Sequence, residues 1–180
     1  RSVYTCLDKI YPDVNFAHNF PSIKSTINKF SHTEISVHEM TKIVDTFAYH
    51  EIGYIPEEYI DVLHRLAEQY QLAVVIDIWS PRTAWLNLFK KLGINKLFSA
   101  SSYSSEHGMV KPSPKPFKLV IEKLGQPIDQ CLMIGDSARR DLGGARAAGV
   151  ECVLVGGAKH PDAIACYESL ITLSKDLLNN

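Results

Sequence analysis

Asp136 and Asp141 bracket the segment Gly135-Asp136-Ser137-Ala138-Arg139-Arg140-Asp141, which joins the apolar run Cys131-Leu132-Met133-Ile134 to a small-residue stretch ending at Gly149. The pattern predicts a strand, an acidic turn and a helix with Ser137 near its N-cap. In open α/β sheets, ligands collect outside the carboxyl ends of the strands. Two carboxylates flanking a first helical turn can face one small volume, as a hard divalent cation requires. Each carboxylate can equally be a helix cap and nothing more. Upstream, Val110-Lys111-Pro112-Ser113-Pro114 sets a lysine just before a proline-stiffened helix start. Its ammonium can be held towards a phosphate or a carboxylate, or simply be solvated.

These residues need a scaffold, and the hydrophobic periodicity supplies one. Leu72-Ala73-Val74-Val75-Ile76 is a continuous apolar run, expected for a strand of a parallel sheet buried on both faces. A helix carrying Trp85, Leu88, Phe89 and Leu92 follows and ends at Gly93. A strand is expected around Lys96 to Ser101, a polar loop from Ser102 to Gly108, and a helix from Pro114 to Leu124 with Ser113 as its cap. Cys131 to Ile134 and Glu151 to Val155 read as strands, and Asp162 to Leu178 as a closing helix. At the other end, Val3, Tyr4 and Thr5 favour β structure, so Ser2 to Leu7 reads as a first strand before the turn at Tyr11-Pro12-Asp13. Gly149 suits the end of the small-residue helix.

Alternating strands and helices predict an α/β fold, a doubly wound parallel sheet of Rossmann-like type with right-handed crossovers. The stretch from Val14 to Tyr70 has helical periodicity and a proline, Pro56, opening its clearest helix. It is too long for one crossover. The expected organisation is therefore a core of residues 1–13 and 71–180 with a helical cap, residues 14–70, inserted over the strand ends. His18, His32, His38, His50 and His64 lie in that stretch without the paired spacing of metal ligands.

Composition narrows the partners. Hydrophobic residues at 46% and charged residues at 22% fit an ordinary globular protein with one substantial core. A net charge of −1 offers no field for nucleic acid or an anionic membrane, so neither is an expected partner. No apolar run approaches the roughly 20 residues that span a bilayer. Four cysteines, Cys6, Cys131, Cys152 and Cys166, show neither metal spacing nor a dense disulfide pattern, which points to a reducing compartment, the cytoplasm.

Taken together, Lys111 before Pro112 and Pro114, then Gly135-Asp136-Ser137 with Asp141, then the small residues Gly144 to Gly149, resemble the haloacid dehalogenase superfamily in its branch with a small helical cap. The resemblance runs closely from Leu72 to Gly157 and more loosely through the cap. It implies Mg²⁺-dependent hydrolysis of a small phosphorylated molecule. In that scheme an aspartate ending the first strand attacks phosphorus, and an aspartate two residues later acts as acid and base. A Ser or Thr on the second motif strand and a lysine hold the phosphoryl oxygens, and the last acidic motif helps to bind the metal. By resemblance Lys111 is that lysine, Asp136 and Asp141 the acidic motif, and Asp8 the acid/base residue and a further metal ligand.

Three positions depart from the pattern. Aligning Cys6-Leu7-Asp8-Lys9-Ile10 with the first motif puts Cys6 at the nucleophile position and Ile10 where Thr is usual. Cys6 lacks the following arginine of cysteine-dependent phosphatases, and thiolate is a poor magnesium ligand. Ile76 stands at the Ser/Thr position of the second motif, followed by Asp77, while Ser80 is either a phosphate contact or the N-cap of a helix opened by Pro81. Two functions follow. One is a magnesium-dependent phosphate monoester hydrolase, weak or inactive as written, its nucleophile altered or supplied upstream of Arg1. The other is an inactive relative that binds phosphate or Mg²⁺ in a regulatory role.

Overall fold

The computed structural model describes residues 2–179. Its first element is a helix, α1 (Ser2–Ile10), not the expected strand. Val3, Tyr4 and Thr5 favour β structure locally, but Val3, Leu7 and Ile10 share one helical face. Leu7 is fully buried on it against Ala17, Phe20 and Val110. Tertiary burial of that stripe outweighs the local preference of three residues. Three helices follow: α2 (Ile23–Phe30), α3 (Val37–Glu51) and α4 (Glu57–Ala67). Ser22 caps α2, and Ser36 with Glu39 forms a reciprocal capping box on α3. Helix α1 packs on α2. Helix α4 packs instead on the closing helix, α9 (Leu170–Leu178).

Strand β1 (Leu72–Ile76), helix α5 (Arg82–Lys91), strand β2 (Phe98–Tyr103), the single turn α6 (Ser104–His107) and helix α7 (Lys115–Leu124) come next. The expected polar loop from Ser102 is therefore the end of a strand and a helical turn. His107 shapes it by accepting from the Met109 amide at 3.0 Å and bonding Ser102 Oγ at 2.8 Å. Strand β3 (Leu132–Gly135) leads through a wide helical turn, Ala138–Leu142, into α8 (Gly143–Ala148) and β4 (Glu151–Leu154). The expected closing helix is shorter at its start: Ala165–Cys166 adds a two-residue strand, β5, and Ser169 caps α9.

Every strand pairing is parallel, in two ladders, β1-β2 and β3-β4-β5. Strand β4 has a neighbour on each side and is buried at three of its four residues. Strand β1, expected to be buried on both faces, is only half-buried along its whole length. No described helix is long and apolar enough to cross a membrane.

The main core cluster joins Phe117 of α7 to Leu142, Ala145 and Ala148, and to Val150, Cys152 and Leu154 around β4. Burial among these residues raises the Cys152 thiol to about 11, so it stays protonated. Gly144 is the point of closest approach: a Cβ there would lie 2.4 Å from the Phe117 ring. Gly144→Ala should therefore force α8 and α7 apart and cost about 1 to 3 kcal/mol, read as a lowered urea midpoint. Gly53→Ala, which meets nothing within 4 Å, should leave the midpoint nearly unchanged.

Candidate functional site

The carboxyl ends of β1 and β3 meet around Lys111. Its ammonium donates to Asp141 Oδ1 at 2.8 Å, and the two side chains are 13% and 3% exposed. Asp141 Oδ2 accepts the Asp136 and Ser137 amides at 3.1 and 3.0 Å. The same carboxylate thus folds the turn after β3 and anchors the lysine from the α6–α7 loop. Gly135 permits this approach, because a Cβ there would sit 2.3 Å from Asp141 Cβ. Ser137 caps the turn by accepting the Arg140 amide, as its position in the sequence predicts.

Asp77, immediately after β1, accepts the Lys111 amide at 3.2 Å and the Tyr11 hydroxyl at 2.8 Å. Burial raises its carboxyl above the usual aspartate range, against the opposing influence of Lys111, Tyr11 and Arg140. Arg140 donates to the Tyr11 hydroxyl and lies 5.0 Å from that ring's centroid. Arg139 donates to the Pro12 carbonyl. Consecutive arginines in the acidic turn therefore hold the end of α1 and its following segment over the strand ends. The adjoining segment helps to place Lys111: the Val110 amide donates to Ala17 O at 2.9 Å and the Phe20 amide to Gly108 O at 2.6 Å.

The expected site residues divide clearly. Lys111, Asp136 and Asp141 come together. Cys6 and Asp8 do not end a strand; they lie on α1, half-buried and exposed respectively, so the first-motif alignment on this segment fails. Ser80 is fully buried and neither caps α5 nor stands free. Its hydroxyl and amide, with the Trp79 amide, donate to the Glu51 carboxylate at the end of α3. Tyr11, Glu51 and Arg140 are the contributors that sequence reasoning missed. Arg140 was visible inside the quoted motif; the other two reach the site from 66 and about 29 positions away and carry no local signal.

A cavity of about 620 Å³ opens beneath the helices beside this edge, walled by Tyr4, Tyr11, Phe47 and Trp79 with Asp77 and Arg140. For a divalent cation the donor set is short. Asp141 is engaged on both oxygens, Asp8 is elsewhere, and no group of three ligating side chains gathers among the described residues. Asp136, at the end of β3, is exposed. These residues do not by themselves make a magnesium site.

The chain is therefore an α/β fold of parallel strands with an acidic turn and a paired lysine at their carboxyl edge. The chain belongs to the haloacid dehalogenase-like hydrolase family, whose model matches residues 9–149. It is 30% identical over 105 residues to the ribulose-1,5-bisphosphate 5-phosphatase of Halopiger xanaduensis, covering 57% of this chain and 44% of that protein. It is 29% identical over 120 residues to the glyceraldehyde 3-phosphate phosphatase of Methanopyrus kandleri, covering 64% and 51%. The chain thus spans about half the length of these curated relatives. The structure of a HAD phosphatase from Thermococcus onnurineus matches 97% of this chain and 78% of its own, with a TM-score of 0.65 and 24% identity.

Two consequences can be measured. Lys111→Met strands the buried Asp141 carboxylate with only its backbone donors, and should cost about 3 kcal/mol in urea unfolding. For Asp77, between its ordinary value of about 3.9 and its raised folded-state value, the folded protein holds a proton that the unfolded chain has released. Raising the pH through that window therefore destabilises the fold. Relative to Asp77→Asn, the wild type should be most stable below the window and lose ground as pH rises; a wild type that gains on the variant would overturn the assignment.

Proposed function

We propose that the chain takes a small phosphorylated molecule at this edge, as part of a Mg²⁺-dependent phosphate monoester hydrolase, and that residues 1–180 alone turn it over weakly or not at all. The observation that carries the reading is the convergence of Lys111, Asp77 and Arg140 on one strand edge, beside a cavity roofed by helices. Lys111 has three ammonium donors, of which Asp141 takes one, so it can neutralise a phosphoryl group while remaining anchored. Arg140 supplies a second positive charge at the cavity wall. Asp136 is the carboxylate left to meet a cation. Helices α1 to α3 act as the cap, their aromatic wall receiving the organic part of the substrate.

Weak turnover follows from what the edge lacks. With Cys6 and Asp8 on α1, no unengaged carboxylate stands opposite Lys111 among the described residues, and Ser80 is committed to Glu51. A second reading, an inactive relative that binds phosphate or Mg²⁺, draws on the same absence. The small net charge supports no nucleic-acid or membrane partner, and four unpaired cysteines support a cytoplasmic setting.

With 4-nitrophenyl phosphate and Mg²⁺, the 180-residue chain should release product at the buffer rate. Calorimetry with inorganic phosphate should still register binding, weakened at least tenfold in Arg140→Ala. Robust turnover that disappears in Asp136→Asn would overturn the weak-turnover reading. Absence of phosphate binding would remove the site assignment itself.

A further inference from the structure

The loop that delivers Lys111 starts from a fixed frame. The turn α6 is fastened to the edge of β1 by Ser104, whose buried hydroxyl donates to Ile78 O and accepts the Ile78 amide, each at 2.8 Å. His107 ends that turn, half-buried, and Gly108 follows it in the left-handed region with φ +67°. From there the imidazole makes two bonds of different kinds. Nε2 meets Ser102 Oγ of β2 at 2.8 Å, and Nδ1 accepts the Met109 amide at 3.0 Å. Two residues further on is Lys111, held to Asp77 by its amide and to Asp141 by its ammonium.

The two bonds respond differently to a proton. A backbone amide only donates, so Nδ1 must be bare to receive it, and the proton of the neutral ring is then on Nε2, donating to Ser102. Protonation places a second N–H at Nδ1, opposite the Met109 N–H. Two donors then face each other, and a half-buried amide loses its acceptor. A hydroxyl can turn and accept instead, so the Ser102 contact survives. The same holds for His18, whose Nδ1 lies 2.9 Å from the Ser113 hydroxyl at the far end of the loop. His107 is therefore the histidine of this loop whose proton a neighbour cannot absorb. Burial pulls its imidazole below the usual histidine range, helped by Lys123 of α7 and opposed by Glu106 and Asp77. Glu106 is itself paired with Arg82 of α5. The ring is thus neutral near neutral pH and charged only in acid.

We propose that His107 is a positioning residue for anion binding: its neutral form, with the proton on Nε2, sets the direction of the loop that carries Lys111, and its protonation weakens the site although it adds a positive charge. The loop does not unfold when this happens, because the Val110 amide stays on Ala17 O and the Phe20 amide on Gly108 O. What changes is the peptide at Met109. Lys111 has to satisfy Asp77 and Asp141 together, so a small rotation two residues upstream is enough to misplace its ammonium. The proposal rests on the reading of Lys111 as the residue that meets a phosphoryl group, and adds what holds that lysine and under which condition.

Long-range proton–nitrogen NMR of the histidine rings at neutral pH should find the His107 proton on Nε2; a ring protonated on Nδ1 instead would overturn the proposal without any variant. In a titration from about pH 8 to about pH 5, where histidines change charge, the Met109 and Lys111 amides should shift in step with the His107 ring. His107→Asn supplies the contrast, because a carboxamide oxygen accepts the amide two residues on, as in an Asx turn, and does not titrate. Asp77, whose carboxyl is raised, is present in both proteins and cancels in the comparison. Sulfate, doubly charged throughout that range, should bind the wild type about tenfold more weakly at the acid end, as the loss of one hydrogen bond predicts. It should bind His107→Asn about equally at both ends. Acid weakening of the same size in His107→Asn, or wild-type affinity that is flat or rises in acid, would overturn the proposal alone. Sulfate bound by neither protein would overturn with it the phosphate site on which it rests.

Discussion

The Asp141 carboxylate is the contact on which the rest of the edge depends. It is buried and carries three hydrogen bonds, one from the Lys111 ammonium and two from the amides that open the turn after β3. A charge taken so far from water is tolerated only where its lone pairs are matched, and here charge and directional donors are both supplied. The same bonds define the shape of the site. They curl the turn back onto its own strand, require Gly135 to be without a side chain, and fix a lysine brought by a separate loop. The acidic turn and the lysine loop are therefore one mechanical unit, although 30 positions separate them in sequence.

How much of this was legible depended on whether the relevant interaction was local. The segment from β3 through Ser137 to Gly149 could be read because its strand, cap and left-handed terminator each depend on neighbours within a few residues. Segment α1 was misread for the opposite reason. Its nine residues satisfy β preference at Val3 to Thr5 and a helical stripe at Val3, Leu7 and Ile10, and only the burial of Leu7 under Phe20 and Val110 decides between them. Ser80 followed by Pro81 looked like a cap, but Glu51 from the end of α3 claims the hydroxyl. A distant carboxylate outcompeted the local role. Strand β5, two residues long, has no periodicity to read.

Correcting α1 changes what the departures from the family pattern mean. With Cys6 placed at the end of a first strand, the chain would carry a substituted nucleophile. With Cys6 on a helix, the placement at a strand end that would make it a substituted nucleophile does not hold for this segment. The half-burial of β1 has its geometric origin in the gap between the two ladders. Composition could predict that β1 belongs inside a sheet, but not that one of its two sides would lack a neighbour.

Charge balance at the edge points the same way. Asp141 is matched by Lys111, Asp77 by Tyr11 and the Lys111 amide, and Glu51 by the Trp79 and Ser80 amides. Each of these acids spends its acceptor capacity on holding the protein together. Asp136 is left facing solvent, and Lys111 and Arg140 are the cations nearest the strand ends. One exposed carboxylate coordinates a hard cation weakly, since magnesium draws on several oxygens in fixed geometry. Among the described residues the edge thus presents two cations and one exposed carboxylate, while β1 and β3 carry no ladder partner on the sides that face each other.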